Sequence, residues 1–168
     1  RVLFRSGNNG IAPTDSELLS TAAKAQTAQN EMDSMLQDIA ADLGIKFSKG
    51  TPKSIKSMRD KVSRKQAAGL QYGILDMKDH ARNKLELSSF EQIPKVLEDL
   101  KQKNIPYHTE AIGPTEWGYK GFHVTWQAKN GMNCELQLTR PDVWKVKLQS
   151  DAIYEKWRNV DFATASPE

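Results

Sequence analysis

The chain has 168 residues, 24 Lys and Arg against 21 Asp and Glu for a formal net charge of +3, and 38% hydrophobic residues. That length is about one ordinary domain with a self-sufficient core, and the single Cys134 excludes an internal disulfide framework and a cysteine-rich zinc module. No apolar run approaches the roughly 18 residues of a membrane-spanning helix, and the weak basicity is compatible with a phosphate-bearing ligand without demanding one.

The opening Arg1-Val2-Leu3-Phe4-Arg5 is too short in its apolar part for a secretory signal, and the absence of a first Met leads us to expect a piece of a longer polypeptide. Residues 1–13, with Ser6-Gly7-Asn8-Asn9-Gly10 and Pro13, read as a linker or disordered lead-in. Thr14 and Glu17 make a capping box, and Leu18, Ala22, Ala25, Met32, Leu36, Ile39 and Leu43 recur near a 3.6-residue period. A long helix over 14–44 is therefore expected, stopped by Gly44 and firmly packed only in its second half, where the stripe is no longer alanine-rich. Pro52 is expected in the first turn of a second helix, with Ile55, Met58 and Val62 as its apolar edge and Gly69 at its end. Leu70 to Leu75 is left open.

Ala81, Asn83, Leu85 and Leu87 alternate with Arg82, Lys84 and Glu86 as a strand that is polar on one face. Phe90, Ile93, Leu97 and Leu100 space as a helix closed by Asn104, and Ile105-Pro106-Tyr107 opens another extended stretch. Phe122, Val124 and Trp126, then Met132, Cys134, Leu136 and Leu138, define a hairpin around Lys129-Asn130-Gly131. A two-residue Asn-Gly turn would pair Trp126 with Glu135 on one face. A three-residue loop with Gly131 left-handed pairs Thr125 with Glu135 and His123 with Gln137, and this register keeps one side apolar. It predicts a polar row of Tyr119, His123, Thr125, Gln137 and Glu135 facing away from the core. A final helix is expected from Asp142 to Arg158, around Trp144, Leu148, Ile153 and Trp157. Alternating helices and strands with one hairpin indicate an α+β fold with a mixed sheet flanked by helices.

Three groups could carry chemistry. Lys49, Lys53, Lys56, Arg59, Lys61, Arg64 and Lys65 form either a solvated helical face or a cradle for phosphates, in which Lys53, Ser57, Lys61 and Arg64 share one side. Asp76-Met77-Lys78-Asp79-His80-Ala81-Arg82 could be turn formers at a strand start. With Glu135 on a neighbouring strand, one of these acids would instead make the two-carboxylate Mg²⁺ site that substrate phosphates complete. Trp117-Gly118-Tyr119-Lys120-Gly121-Phe122-His123 places glycines around an aromatic residue just before the strand of the polar row.

Lys53-x-x-x-Ser57-Met58-x-x-Lys61, Lys78-Asp79-x-x-Arg82, Gly118-Tyr119-Lys120-x-x-His123 and Glu135-Leu136-Gln137-Leu138, with Ile153-Tyr154-Glu155-x-x-Arg158 at the end, fall in an order that resembles the synthetase domain of RelA/SpoT-type alarmone synthetases, and most closely their secreted toxin relatives. The resemblance covers roughly 50–158 and gives a catalytic domain at 45–160 with a tail at 161–168. It implies a nucleotidyltransferase-like synthetase fold and Mg²⁺-dependent transfer of the β,γ-pyrophosphate of ATP to a ribose 3′-hydroxyl, of a purine nucleotide or of tRNA. By position it implies Asp79 and Glu135 as metal ligands and Lys53, Ser57, Lys61 and Arg64 at ATP phosphates, with Arg82 near them. Tyr119, beside Lys120, would stack on the acceptor base, and His123 and Gln137 would contact acceptor or phosphates.

Three positions depart from the family: Thr51 stands where an Arg usually precedes the Lys53 position by two, Trp117 where an Asn precedes Gly-Tyr, and Asp151 where a His is often found. Asp76 competes with Asp79 for the metal, and Lys-Asp-x-x-Arg favours Asp79. The leading expectation is a pyrophosphokinase toxin domain, delivered in a larger secreted polypeptide and acting in the target cell's cytoplasm, with a cognate immunity protein. The alternative, which Thr51 motivates, is an RNA- or nucleotide-binding module of the same fold without the metal site.

Overall fold

The Thr14 hydroxyl accepts from the Glu17 amide while the Glu17 carboxylate accepts from the Thr14 amide, a reciprocal cap of the kind worth about 1 kcal/mol. The computed structural model describes residues 11–112 and 121–140. Helix α1 runs Asp15–Leu43 and ends where Gly44 turns left-handed at φ 68°. Then come α2 (Ile55–Ala67), a 3-10 turn (Ile74–Asp76), β1 (Ala81–Glu86), α3 (Gln92–Gln102), β2 (Tyr107–Ile112), β3 (Gly121–Gln127) and β4 (Asn133–Thr139). The lead-in at 1–10, the Trp117–Lys120 stretch and the expected final helix lie outside the described residues.

The four strands order as β1-β4-β3-β2, with β1 parallel to β4 and the other two pairs antiparallel. The fold is α+β with a mixed sheet and a long N-terminal helix. Its hairpin has the three-residue loop: Gly131 sits at φ 84°, Thr125 faces Glu135, and His123 faces Gln137. This register puts Phe122, Val124, Trp126, Cys134, Leu136 and Leu138 on one buried face. Met32, Leu36 and Ile39 of α1 and Ile93, Val96, Leu97 and Leu100 of α3 cover that face.

Two expectations are corrected. The alanine-rich first half of α1 is firmly packed, because Leu18 and Ala25 close a second cluster with Met58, Val62 and Met77; small side chains let α2 approach closely. Pro52 lies outside α2, since the Ser54 hydroxyl accepts from the Ser57 amide and so caps the helix two residues later. Pro94 is tolerated within the first turn of α3, where its missing N–H would have had no helical partner.

Candidate active site

The face of the sheet opposite α1 and α3 is a polar grid. Register alone sets Arg82, Glu135, Thr125 and His108 in one row across the four strands, and Lys84, Gln137, His123 and Glu110 in the next. Period-two alternation makes this polar face the necessary reverse of the apolar one. Within it His123 Nδ1 lies 3.6 Å from Glu135 Oε2, and Gln137 Nε2 donates to Glu135 Oε1 at 3.4 Å. The His123 ring nitrogen, acting as donor, holds the Glu135 carboxyl below its usual range, against burial and the negative charge of Asp79, which push it up.

Asp79 stands just before β1, with Lys53 Nζ 3.0 Å from one carboxylate oxygen and Lys61 Nζ 3.2 Å from the other. All three side chains are largely buried, at 9%, 13% and 21% exposure for Lys53, Asp79 and Lys61. Burial pushes the Asp79 carboxyl up, but the two ammonium groups outweigh it and keep the group below its ordinary range. The cluster carries one excess positive charge on largely buried groups, which is the electrostatic condition for holding phosphate oxygens.

His80 fixes this geometry. Its backbone oxygen accepts from the Lys53 amide at 3.0 Å, its Nδ1 accepts from the Asn133 amide at 3.2 Å, and its Nε2–H therefore donates to the Ile74 oxygen at 2.8 Å. The ring is buried, and burial drives its pKa down. Protons thus bind the unfolded chain more readily than the folded one below the ordinary histidine value of about 6.5. The stability from neutral His80 is complete above that value and is lost as the pH falls from there toward its lower folded pKa. In a His80→Gln variant, urea unfolding measured as the pH falls below about 6.5, still above the carboxylate range, should lose most of that slope. The Asp79 and Glu135 contributions lie at lower pH, because their depressed pKa values confine the loss to below the ordinary carboxylate range.

The remaining candidates separate. Asp76 is engaged locally, its carboxylate accepting from the Gly73 amide at 2.7 Å to close the 3-10 turn, so Asp79 is the acid that meets the lysines. Ser57 lies in the capped first turn of α2, where its hydroxyl is 3.0 Å from the Ser54 hydroxyl. Lys56 pairs with Asp60 and Arg59 with Asp15, both exposed, while Arg64 is also exposed. The basic helix is therefore largely a solvated face, with Lys61 turned to Asp79. Tyr119 and Lys120 lie outside the described residues. Arg82 projects from β1 with its Nε donating to the Thr51 oxygen at 3.3 Å. It borders a cleft of about 500 Å³ shared by Lys46, Lys49, Thr51, Lys84 and Gln137.

Sequence reasoning missed His80, Tyr72 and a buried pair on α1, Gln29 and Asp33. Burial and the nearby charges of Asp79 and Asp76 push the Tyr72 phenol up to about 12. Burial likewise pushes the Cys134 thiol to about 12, so it is an inert core group. Among the described residues, no group of three or more His, Cys, Asp or Glu side chains is placed to hold a metal. Two ionised carboxylates, with Asp79 close enough for its charge to act on Glu135, fit a hard cation such as Mg²⁺ that takes its other ligands from phosphate and water.

Among solved structures, the chain matches the Type VI effector Tas1, crystallised in complex with its immunity protein, at 22% identity and a TM-score of 0.58, over 93% of this chain and 90% of that one. It matches the small alarmone synthetase 1 from Bacillus subtilis at 20% identity and a TM-score of 0.60, over 85% of this chain and 81% of that one. The RelA/SpoT-like fold is thereby established. No protein-family model matches the sequence, and no curated protein does.

Proposed function

We propose that the protein is an Mg²⁺-dependent pyrophosphokinase that moves the β,γ-pyrophosphate of ATP onto a ribose 3′-hydroxyl, and that it acts as a toxin domain. The observation that carries this is the charge arrangement: an ionised Asp79 between Lys53 and Lys61, with Glu135, on the polar face of the sheet, within reach of its field. The likeness to an alarmone synthetase and to a Type VI effector supports the activity and the toxin role respectively.

The roles follow from position. Lys53 and Lys61 exchange Asp79 for the β- and γ-phosphate oxygens, and the released carboxylate, with Glu135, would hold Mg²⁺. When bound, that ion neutralises charge on the transferring group. The nucleoside end of ATP occupies the cleft bordered by Thr51, Arg82, Lys84 and Gln137. In this reading Glu135, in contact with His123 and Gln137, takes the proton of the attacking hydroxyl. The acceptor oxygen bonds to the β-phosphorus, the bond from that phosphorus to the α,β-bridging oxygen breaks, and AMP leaves. Little covalent work falls to the protein, and positioning with charge neutralisation supplies most of the rate.

Incubation with ATP labelled in its β- or γ-phosphate, together with purine nucleotides or tRNA, tests this. A labelled acceptor and a matching amount of AMP are expected; labelled inorganic phosphate alone would identify a hydrolase instead. A second reading, a nucleotide- or RNA-binding module without transfer, is favoured by Thr51 and by the pairing of both Asp79 oxygens. It predicts that Glu135→Gln leaves toxicity unchanged.

As a toxin the domain would act in the cytoplasm of a target cell and require an immunity protein. Tas1 was crystallised with one. We expect an acidic surface on that partner, meeting the cations from Lys53 to Lys65, and association that slows as salt rises. A complex whose association rate ignores salt would argue for another epitope.

A further inference from the structure

Helix α1 carries two buried polar side chains that helix packing does not require: Gln29 is 1% exposed and Asp33 6%. One turn apart, they face β1, the edge strand of the sheet. The Gln29 amide binds the Arg82 backbone on both sides, Oε1 accepting from Arg82 N at 2.9 Å and Nε2 donating to Arg82 O at 3.0 Å. It fills the place a fifth strand would take, so the edge is closed at one residue by a side chain. Asp33 Oδ1 accepts from Gln29 Nε2 at 2.9 Å, from the Asn83 amide at 2.7 Å and from the Gly50 backbone N–H at 3.2 Å. The other bond of Asn83 Nδ2 runs to the Ser48 oxygen at 3.2 Å. The two side chains thus clamp the loop before Lys53 against Arg82. Gly50 passes so close that a Cβ there would lie 2.3 Å from the Arg82 oxygen and 2.6 Å from Gln29 Nε2.

Both clamped segments form the wall of one cleft. Gly50, Thr51, Arg82 and Asn83 line it, and Lys53 follows three residues after Gly50. A core needs no carboxylate with three donors on one oxygen; apolar residues would fill that space at less desolvation cost. What the pair supplies is a fixed separation between a loop and a strand edge that have no ladder bonds to each other. We infer that Gln29 and Asp33 are positioning residues for the donor nucleotide, setting the cleft wall on which ATP binds, so that α1 is part of the substrate site. This rests on the pyrophosphokinase reading for the identity of the ligand, though not for the existence of the clamp.

The test uses the whole chain with Gln29→Met, which keeps length and loses every hydrogen bond, and Asp33→Asn, which keeps shape and loses charge. Amide hydrogen exchange, thermal unfolding and titration with a non-cleavable ATP analogue are measured on each, with initial rates over both substrates. In Gln29→Met the Arg82 amide should exchange at least about tenfold faster, with Leu85 and Leu136 still protected. Affinity for the analogue should fall about tenfold, and KM for ATP should rise to match, with KM for the acceptor within about twofold. Asp33→Asn should show the same pattern more weakly and lose Gly50 protection.

A purely structural pair would lower the melting temperature and the active fraction and leave both KM values alone; that result, or unchanged Arg82 exchange, overturns the inference. Wild-type protein that binds the analogue and loses it in Gln29→Met, yet transfers nothing, would fault the transferase reading and leave the clamp standing. Wild-type protein that binds no analogue overturns both. Should Gln29→Met fail to fold, Asp33→Asn carries the same exchange and affinity readouts.

Discussion

Glu135→Gln is expected to lower pyrophosphate transfer by about 10³-fold or more with the protein still folded, the scale of loss when a group that stabilises the transition state is removed. The substitution keeps size and the capacity to accept from Gln137, so Leu136 and Cys134 on either side remain in place beneath the sheet. What disappears is the negative charge that His123 keeps ionised and that would serve both the cation and the acceptor proton.

Asp79→Asn should lose comparable activity with the opposite effect on binding. Removing that carboxylate frees Lys53 and Lys61 from their shared anion, so metal-free ATP should bind as tightly as in wild type or more tightly. Mg²⁺ should no longer enhance it. Lys61→Met should weaken ATP with or without the ion. Circular dichroism and titration calorimetry on the three variants separate these outcomes; parallel loss of affinity in all three would mean that Asp79 serves only to fold the lysines.

Gly50→Ala should be severely damaging for a change of one methyl. Its Cβ would sit 2.3 Å from a backbone oxygen of β1, which no rotamer change relieves, and 2.6 Å from the Gln29 amide. Overpacking of this kind costs about 1–3 kcal/mol and can cost more where backbone must move. Moving it here breaks the Gly50–Asp33 and Arg82–Gln29 bonds together, so we expect destabilisation of about 3 kcal/mol and loss of ATP binding at temperatures where the protein remains folded. Urea unfolding gives the first quantity and titration the second. An alanine variant of normal midpoint and affinity would show that the loop yields freely. By contrast, a Cβ added at Gly44, Gly69 or Gly131 would meet no atom within 4 Å, and the positive φ at each is what a substitution there would strain.

The parts of this structure that could be read from sequence are those fixed by periodicity and local chemistry. The hairpin register followed from period-two alternation across Lys129-Asn130-Gly131, because a one-residue slip would have exposed its whole apolar set. Both ends of α1 followed from the Thr14–Glu17 exchange and from Gly44. The start of α2 was misread: Pro52 suits a first helical turn, but the Ser54 hydroxyl accepts from the Ser57 amide and starts the helix later.

The supports of the site were not legible, for a different reason. His80, Gln29 and Asp33 act through partners many residues distant, Gln29 through Arg82 and His80 through Asn133. Polar residues on an alanine-rich helix look like its solvated side until the strand edge beside them is known. Asn83 shows the same thing from the other direction. It sits on the apolar side of β1, and Asp33 across from it supplies the reason.

The most direct test is a crystal structure with Mn²⁺, whose anomalous signal locates it, and a non-cleavable ATP analogue. Manganese should lie between the carboxylates of Asp79 and Glu135, with β- and γ-phosphate oxygens replacing Asp79 on Lys53 and Lys61. A nucleotide bound away from the sheet's polar face, or a metal that leaves the Lys53–Asp79–Lys61 cluster intact, would contradict it.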